Sequence, residues 1–229
     1  MSSENTGFLY PFIEAEERDS GSLLGDLAAS ARDKAHESSA LQLSTLAACA
    51  HDVLAAADRM ADRFAAGGRL YAFGNGGSST DAATFAALFA QPVSGRPLPA
   101  LNLAADQAVV TALGNDVGFE LVFSRQIIAH SSSKDIAVAF STSGNSADLL
   151  TALREASRRG LLTIGFAGYT GGEMGEAKEV DYCFVVRSQS IHRIQESQAL
   201  LGYQLWASTQ RDLARRTASL QATRPGGTA

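Results

Sequence analysis

The sequence is poor in the residues from which disulfide frameworks and metal clusters are built. Only two cysteines, Cys49 and Cys183, and four histidines occur among its 229 residues. Each cysteine lies in an apolar helix-like or strand-like stretch, where a buried free thiol is the expected state. We therefore expect neither a disulfide scaffold nor a cysteine-bound metal.

An excess of basic residues is also missing. Lys and Arg total 19 against 24 Asp and Glu, which gives a net charge of −5 and a pI near 5.4. A nucleic-acid surface needs a basic face to contact phosphates, so this balance argues against nucleic acid as a partner.

Long hydrophobic runs are the third absence. No apolar run approaches the ~18 residues of a membrane span, and the first residues carry acids rather than the basic start of a signal peptide. The sequence thus predicts a soluble, cytoplasmic protein without membrane contact.

What the chain does have is a regular alternation of apolar and helical stretches. With 45% hydrophobic residues it can bury a full core, as one α/β domain with an added helical segment. Continuous apolar strands indicate burial on both faces, and strands separated by helices indicate a doubly wound parallel sheet. The predicted strands are 69–73, 99–103, 135–140, 161–166 and 182–186, and the predicted helices are 23–66, 78–90, 107–113, 119–130, 147–158 and 191–216.

The two ends of the chain differ from this domain, which we place at residues 23–217. Residues 1–22 form an arm whose apolar stretch 8–13 precedes three glutamates. Because five large apolar side chains there need cover, we expect the arm to dock on another subunit or a protein partner. The alternative is a loosely packed terminus. The tail 218–229, which contains Pro and Gly, is predicted to be disordered.

Two glycine- and hydroxyl-rich loops carry the functional signal, GNGGSS at 74–79 and STSGNS at 141–146. Glycine lets a backbone approach an anion closely, while hydroxyls and helix N-terminal amides donate hydrogen bonds to it. Both loops follow predicted strands, where open α/β sheets bind ligands. We interpret them as two halves of one phosphate site, the alternative being ordinary strand-to-helix turns.

Nucleotide binding is disfavoured by the same loops. Ser79 breaks the G-x-G-x-x-G spacing of a dinucleotide site, and neither loop is followed by the Lys-Ser/Thr of a Walker loop.

Four ordered motifs between residues 40 and 212 resemble the sugar isomerase (SIS) domain, and within it the phosphoheptose isomerase group. They are GNGGSSTDAATFAA at 74–87, VVTALGNDVGFELVFSRQ at 109–126, STSGNS at 141–146 and RIQES at 193–197. The resemblance implies a five-stranded parallel sheet and a homotetramer with a phosphosugar site between subunits. It assigns contacts with the phosphorylated sugar to Asn75, Gly76, Ser78, Asp106, Ser141, Thr142, Ser143, Ser146 and Gln195.

Active members of that group interconvert sedoheptulose 7-phosphate and a heptose 7-phosphate through an enediol. They use a zinc ion and an acid-base pair held by a histidine and a glutamate on the first-loop helix and a glutamine and a histidine on the last helix. The corresponding positions here are Thr84, Leu88, Gln195 and Tyr203, of which only Gln195 matches. Thr170 also replaces a sugar-side aspartate. Since leucine has no donor atom, we predict no metal, no other cofactor and loss of that activity.

Three side chains near these motifs could rebuild a metal-independent site, namely His192, Glu196 and Tyr203. Each also has a simpler interpretation. His192 would be a surface residue at the start of a helix, Glu196 would form an ion pair with Arg193, and Tyr203 would fill the space of the family's histidine.

Three functions therefore stay open. The first is a phosphosugar-binding sensor, scaffold or accessory protein without the family's activity, and the second is an active aldose-ketose phosphate isomerase. The third is an interaction module that works through residues 8–13.

Overall fold

A computed structural model of the protein describes residues 20–222, and the apolar stretch 8–13 of the predicted arm lies outside them. Seven α-helices, a short 3-10 helix and five strands occur in these residues. In chain order they are α1 (Ser20–Ala65), β1 (Leu70–Gly74), α2 (Gly77–Ala90), β2 (Ala100–Asn102), α3 (Gln107–Asp116), the 3-10 helix (Phe119–Leu121), α4 (Val122–His130), β3 (Ile136–Phe140), α5 (Ala147–Arg158), β4 (Leu162–Gly168), α6 (Gly172–Glu176), β5 (Tyr182–Val186) and α7 (Ile191–Ala222).

The five strands form one parallel sheet in the order β2-β1-β3-β4-β5. The chain winds outward to β2 on one side of β1 and to β3, β4 and β5 on the other, so the order reverses between β1 and β3. Gly74 pairs with Phe140 in the register of these two strands. The predicted doubly wound five-stranded sheet is confirmed, and the two polar loops leave it side by side.

Both faces of the sheet are covered by helices. Alternate residues of each strand point to opposite faces, so each strand contributes to two cores. Leu70 and Ala72 face a core formed with α1, α2 and α7, while Tyr71 and Phe73 face a core formed with α4, α5 and α6. In the first core the Phe140 and Phe166 rings stack at 4.4 Å between centroids. Helices on both faces thereby hold the loop-bearing edge in place.

Helix α1 contains two parts with different surroundings. Its residues up to Ala40 belong to a separate unit, in which side chains such as Leu24 are exposed. From Leu41 onward it belongs to the sheet-bearing unit, where Val53, Met60 and Phe64 are buried in the core.

The expectation about apolar length needs a correction at this helix. Within Leu23–Ala65 an 18-residue window is long and apolar enough, by length and composition, to cross a membrane. Its many alanines raise the hydropathy without forming a run of large apolar residues. A core helix of a soluble protein and a signal sequence both pass the same test. Of this window 28% is buried, although Val53, Met60 and Phe64 of the same helix pack in the core.

Besides shifts of one to three residues at other element ends, the structure differs from the sequence prediction in three places. The helix predicted at 119–130 begins as a 3-10 turn after Gly118, whose φ is +103°. The five-residue helix α6 was not predicted, since it is too short to show periodicity. Helix α7 continues to Ala222, five residues into the predicted tail, because the segment ASLQA favours helix.

Candidate functional site

The first polar loop turns directly from β1 into α2, and its glycines permit the turn. A Cβ on Gly74 would lie 2.6 Å from the Ser78 carbonyl oxygen and 2.8 Å from that of Phe140. Gly76 caps α2 with φ +54°, in the left-handed region that favours glycine. The loop therefore lies tightly against β3 and places Ser78, which is buried, in the first turn of α2.

The second polar loop is fixed against the loop that follows β4. A Cβ on Gly144, whose φ is +71°, would lie 2.0 Å from the Gly171 carbonyl oxygen. The Met174 amide donates to the Gly144 carbonyl at 2.9 Å. Within the loop, the Gly144 amide donates to Ser141 Oγ at 2.9 Å. These contacts hold the loop at the carboxyl end of β3.

A buried carboxylate joins the two loops. Asn75 Nδ2 in the first loop donates to both carboxylate oxygens of Asp148, at 3.0 and 2.8 Å. Asp148 lies in the first turn of α5, two residues after the second loop, and is only 4% exposed. Sequence reasoning missed this residue, because only the pairing of β1 with β3 brings it to Asn75.

The joined loops present unused hydrogen-bond donors. Among residues 20–222, the hydroxyls of Ser78, Thr142 and Ser146 make no hydrogen bond to another protein group, whereas Ser143 Oγ accepts from the Asn145 amide. Neither α2 nor α5 has a side-chain cap at its N-terminus, so their first amides lack side-chain acceptors. Hydroxyls and helix N-terminal amides suit an anion, and no basic side chain is required.

Two residues predicted to contact the sugar already have partners in the chain. The Asn75 amide is engaged by Asp148. Asp106 is exposed and caps α3, since its Oδ1 accepts from the Ala108 and Val109 amides at 3.0 and 3.2 Å. For Asp106 the structure thus supplies a role in helix capping.

Gln195 lies against the first loop and makes a contact that sequence reasoning also missed. Its Nε2 donates to Asp81 Oδ2 at 2.7 Å, and a Cβ on Gly77 would lie 2.7 Å from the same nitrogen. Burial raises the pKa of the Asp81 carboxyl above its ordinary value, and the hydrogen bond from Gln195 offsets part of that rise. The start of α2 and the start of α7 therefore share a polar pair beside the loops.

A cavity of about 180 Å³ lies between α2 and α7, next to that pair. Gln198 is fully buried in its wall and donates from Nε2 to the Ser141 carbonyl oxygen at 2.9 Å. Its Oε1 has no hydrogen-bond partner within the described part of the chain. The cavity is lined by Asp81, Thr84, Phe85, Leu88, Phe140, Gln198, Ala199 and Gly202.

The four positions to which the resemblance assigns the zinc do not make a zinc donor set. Thr84 Oγ1 donates to the Thr80 carbonyl at 3.0 Å, and Leu88 packs against the core. Tyr203 is 46% exposed, with its ring 5.3 Å from that of Trp206. Zinc prefers thiolate, imidazole and carboxylate ligands, and only the Gln195 amide oxygen is of a type the family uses here.

The three candidates for a metal-independent catalytic site do not line the cavity. His192 and Glu196 are exposed near the start of α7, and neither they nor Tyr203 line the cavity wall. The acidic side chain that does line it is Asp81.

Fold and site together define a doubly wound α/β protein whose two polar loops leave the sheet where the strand order reverses, the usual ligand position in such sheets. Comparison with known proteins narrows this class. The SIS domain profile matches residues 35–168. The chain is 38% identical over 171 residues to the phosphoheptose isomerase of Aquifex aeolicus, an alignment that covers 74% of this chain and 88% of that protein.

A second phosphoheptose isomerase, from Solidesulfovibrio magneticus, is 42% identical over 153 residues, which cover 66% of this chain and 74% of the relative. Among solved structures, phosphoheptose isomerase from Neisseria gonorrhoeae superposes with a TM-score of 0.75 at 30% identity, over 81% of this chain and 99% of that one. The chain belongs to the SIS domain family and is similar to its phosphoheptose isomerases. That kinship is consistent with a soluble protein.

Proposed function

We propose that this protein binds a phosphorylated sugar without the zinc-dependent isomerase activity of its relatives, and acts as a sensor, scaffold or accessory protein in the cytoplasm. The single observation that carries this proposal is a contrast within one site. The two loops are joined and rich in donors, whereas Thr84 and Leu88 occupy the cavity wall where the resemblance places metal ligands.

The loops support a phosphate-bearing ligand rather than a neutral sugar. Hydroxyls from both loops and the uncapped starts of α2 and α5 lie at one edge of the sheet. A phosphate has several acceptor oxygens and a negative charge, which the positive ends of two helices stabilise.

We further propose that the protein is a homo-oligomer, as a tetramer of the kind the resemblance implies. Helix α3 supports this, because none of its residues is buried within a single chain. Val109, Val117 and Phe119, on α3 and just after it, are 36%, 41% and 56% exposed. A second copy would cover this apolar surface.

Calorimetric titration with inorganic phosphate and with sedoheptulose 7-phosphate tests the binding claim. We expect both to bind, and we expect the double variant Ser78→Ala, Thr142→Val to lose at least ~10-fold in affinity for both, because two donors are removed. Ser94→Ala, in an exposed loop, is the matched control and should bind like the unchanged protein. Failure of both ligands to bind the unchanged protein would overturn the proposal.

The activity claim is tested separately, by following isomerisation of sedoheptulose 7-phosphate with purified protein in the presence and absence of added zinc. We expect no turnover in either condition. Zinc-dependent turnover would show that the family's chemistry survives in this chain.

A metal-independent aldose-ketose isomerase is the second candidate, favoured by Asp81. Its carboxyl lines the cavity, and burial raises its pKa, the direction that makes a carboxylate a stronger proton acceptor. Deuterium exchange at the carbon next to the carbonyl, followed by NMR with sedoheptulose 7-phosphate and shorter ketose phosphates, decides it. This function would be established if Asp81→Asn abolished the deuterium exchange. The exchange should persist in His192→Ala, Glu196→Gln and Tyr203→Phe.

A further inference from the structure

The fully buried side chain of Gln198 leaves one hydrogen-bonding atom unused. Buried polar atoms are almost always hydrogen-bonded, so an exception next to a cavity points to a missing partner. Oε1 of Gln198 is one of three such atoms among the described residues, together with Ser197 Oγ and Trp206 Nε1. Of the three residues, only Gln198 lines the cavity between α2 and α7.

Resting on the proposed function, we propose that this cavity receives a hydroxyl group of the bound sugar phosphate and that Gln198 Oε1 accepts its hydrogen bond. Gln198 is then a specificity-determining residue, which distinguishes a hydroxylated carbon chain from a bare phosphate.

The orientation of the amide is fixed by its other end. Nε2 donates to the Ser141 carbonyl oxygen at 2.9 Å. A flipped amide would place Oε1 against that carbonyl, two acceptors facing each other, so the network assigns the oxygen to the unpartnered position. The missing partner must therefore be a donor.

The other polar groups in the cavity wall make the same demand. Asp81 presents a carboxylate, and the Thr84 hydroxyl already donates its hydrogen bond to the Thr80 carbonyl at 3.0 Å. The remaining wall is apolar, with the rings of Phe85 and Phe140 and the side chain of Leu88. A cavity wall that offers hydrogen-bond acceptors but no free donor repels a phosphate group and favours a hydroxyl group. The carbon that carries this hydroxyl can contact the apolar part of the wall.

The cavity is also of suitable size and position. Its 180 Å³ equals the liquid volume of ~6 waters at ~30 Å³ each, enough for a hydroxylated carbon or two. Phe140 lines it, and the second loop begins at the next residue. One ligand can place its phosphate on the loops and its hydroxyls in the cavity.

Two substitutions test the cavity from different sides. Gln198→Met removes the acceptor at similar volume. Ala199→Leu fills the cavity from its exposed rim and leaves the Gln198–Ser141 bond intact. Ala214→Leu, at an exposed alanine of the same helix outside the cavity, is the matched control.

Calorimetry measures affinity for sedoheptulose 7-phosphate and for inorganic phosphate. We expect Gln198→Met and Ala199→Leu each to weaken sedoheptulose 7-phosphate at least tenfold, with phosphate changed less than threefold by Ala199→Leu and neither ligand affected by Ala214→Leu. Monodeoxy analogues of the sugar phosphate identify the hydroxyl, because removing it should weaken binding to the unchanged protein but cause no further loss of affinity in Gln198→Met.

The outcomes separate this inference from the proposed function. If the unchanged protein binds both ligands and Ala199→Leu leaves the ratio of their affinities unchanged, the cavity does not hold the sugar, while phosphosugar binding stands. If the unchanged protein binds neither ligand, the proposed function fails and the inference with it.

Discussion

Asp81 illustrates how one residue can be retained in a site at a cost to stability. Burial favours its neutral form, and the hydrogen bond from Gln195 only partly offsets that preference. Because its pKa is raised in the folded protein, the stability this group contributes is fully present below its unfolded pKa and is lost as the pH rises through the folded pKa.

The first prediction follows from that sign. Asp81→Asn should raise the melting temperature at pH 7, because asparagine stays neutral and its oxygen can still accept from Gln195. The difference should disappear below about pH 4, where the aspartate is protonated in both states. Differential scanning fluorimetry from pH 3.5 to 8 measures it, with the exposed Asp33→Asn as the control. A difference that did not change with pH would contradict the assignment.

The second prediction concerns the positions at which the resemblance places the zinc ligands. The triple variant Thr84→His, Leu88→Glu, Tyr203→His, with Gln195 retained, should gain a zinc site, since it restores two imidazoles and a carboxylate beside the amide. Equilibrium dialysis with metal analysis should find about one zinc per chain in the variant. The double variant without Tyr203→His is the control and should bind zinc more weakly. Stoichiometric zinc in the unchanged protein would refute the premise.

At the residue scale, the sequence indicated where the two hydroxyl-rich loops lie, but it did not indicate which side chains pair. The hydroxyl residues of both loops could be named from their spacing and surroundings. The partners Asp148 of Asn75 and Asp81 of Gln195 could not, because each pair joins residues 73 or 114 positions apart. Gln198 carried no signal either, since an unpartnered oxygen becomes visible only when its neighbours are known.

Among the elements, the second loop depends on one glycine more than on any hydroxyl. Gly144 has both a positive φ and a carbonyl oxygen in the place of its absent Cβ. Gly67 has a similar φ of +81° but nothing within 4 Å of that position. A comparison of these two glycines therefore separates the energetic cost of backbone strain from that of a steric clash.

The third prediction uses this pair. Gly67→Ala should destabilise the protein by about 1 kcal/mol, the ordinary cost of a left-handed alanine, and Gly144→Ala by about 2 kcal/mol more, because the Gly171 carbonyl must move. Urea unfolding measures both. Gly144→Ala should also lose phosphate binding, which Gly67→Ala should keep. Equal destabilisation by the two variants would show that the loop relaxes without cost.

Sequence patterns located the elements well where composition was distinctive. The strand at 182–186 was predicted with its observed bounds, since a continuous apolar run allows few alternatives, although only Phe184 and Val186 in it are buried. The start of α4 was not, because Gly118 imposes a turn that helical periodicity does not register.

The fourth prediction belongs to the whole molecule. Phe119→Glu should lower the native mass of the oligomer, because it would bury an unpaired charge between this surface beside α3 and a second copy. Val93→Glu, at a 91% exposed valine in another loop, is the control and should leave the mass unchanged. Light scattering coupled to size exclusion distinguishes them, and an unchanged mass for Phe119→Glu would exclude this surface as the interface.

The role of residues 8–13 stays a prediction at the same scale, since they lie outside the described residues. Deleting residues 1–19 and measuring native mass and phosphate affinity distinguishes an interaction module from a ligand-binding protein. Lost assembly with retained phosphate binding would assign the arm to subunit contact.

The division between backbone-built loops and helix-borne side chains has a consequence for the history of such proteins. In the proposed function, ligand binding depends largely on main-chain geometry, which Gly74 and Gly144 make hard to change. The type of reaction would depend on a few outward-facing positions of two helices, such as Thr84 and Tyr203, which can be exchanged without disturbing the sheet. A lineage can therefore abandon a reaction in a few substitutions and keep its ligand, turning an enzyme into a receptor for its own former substrate.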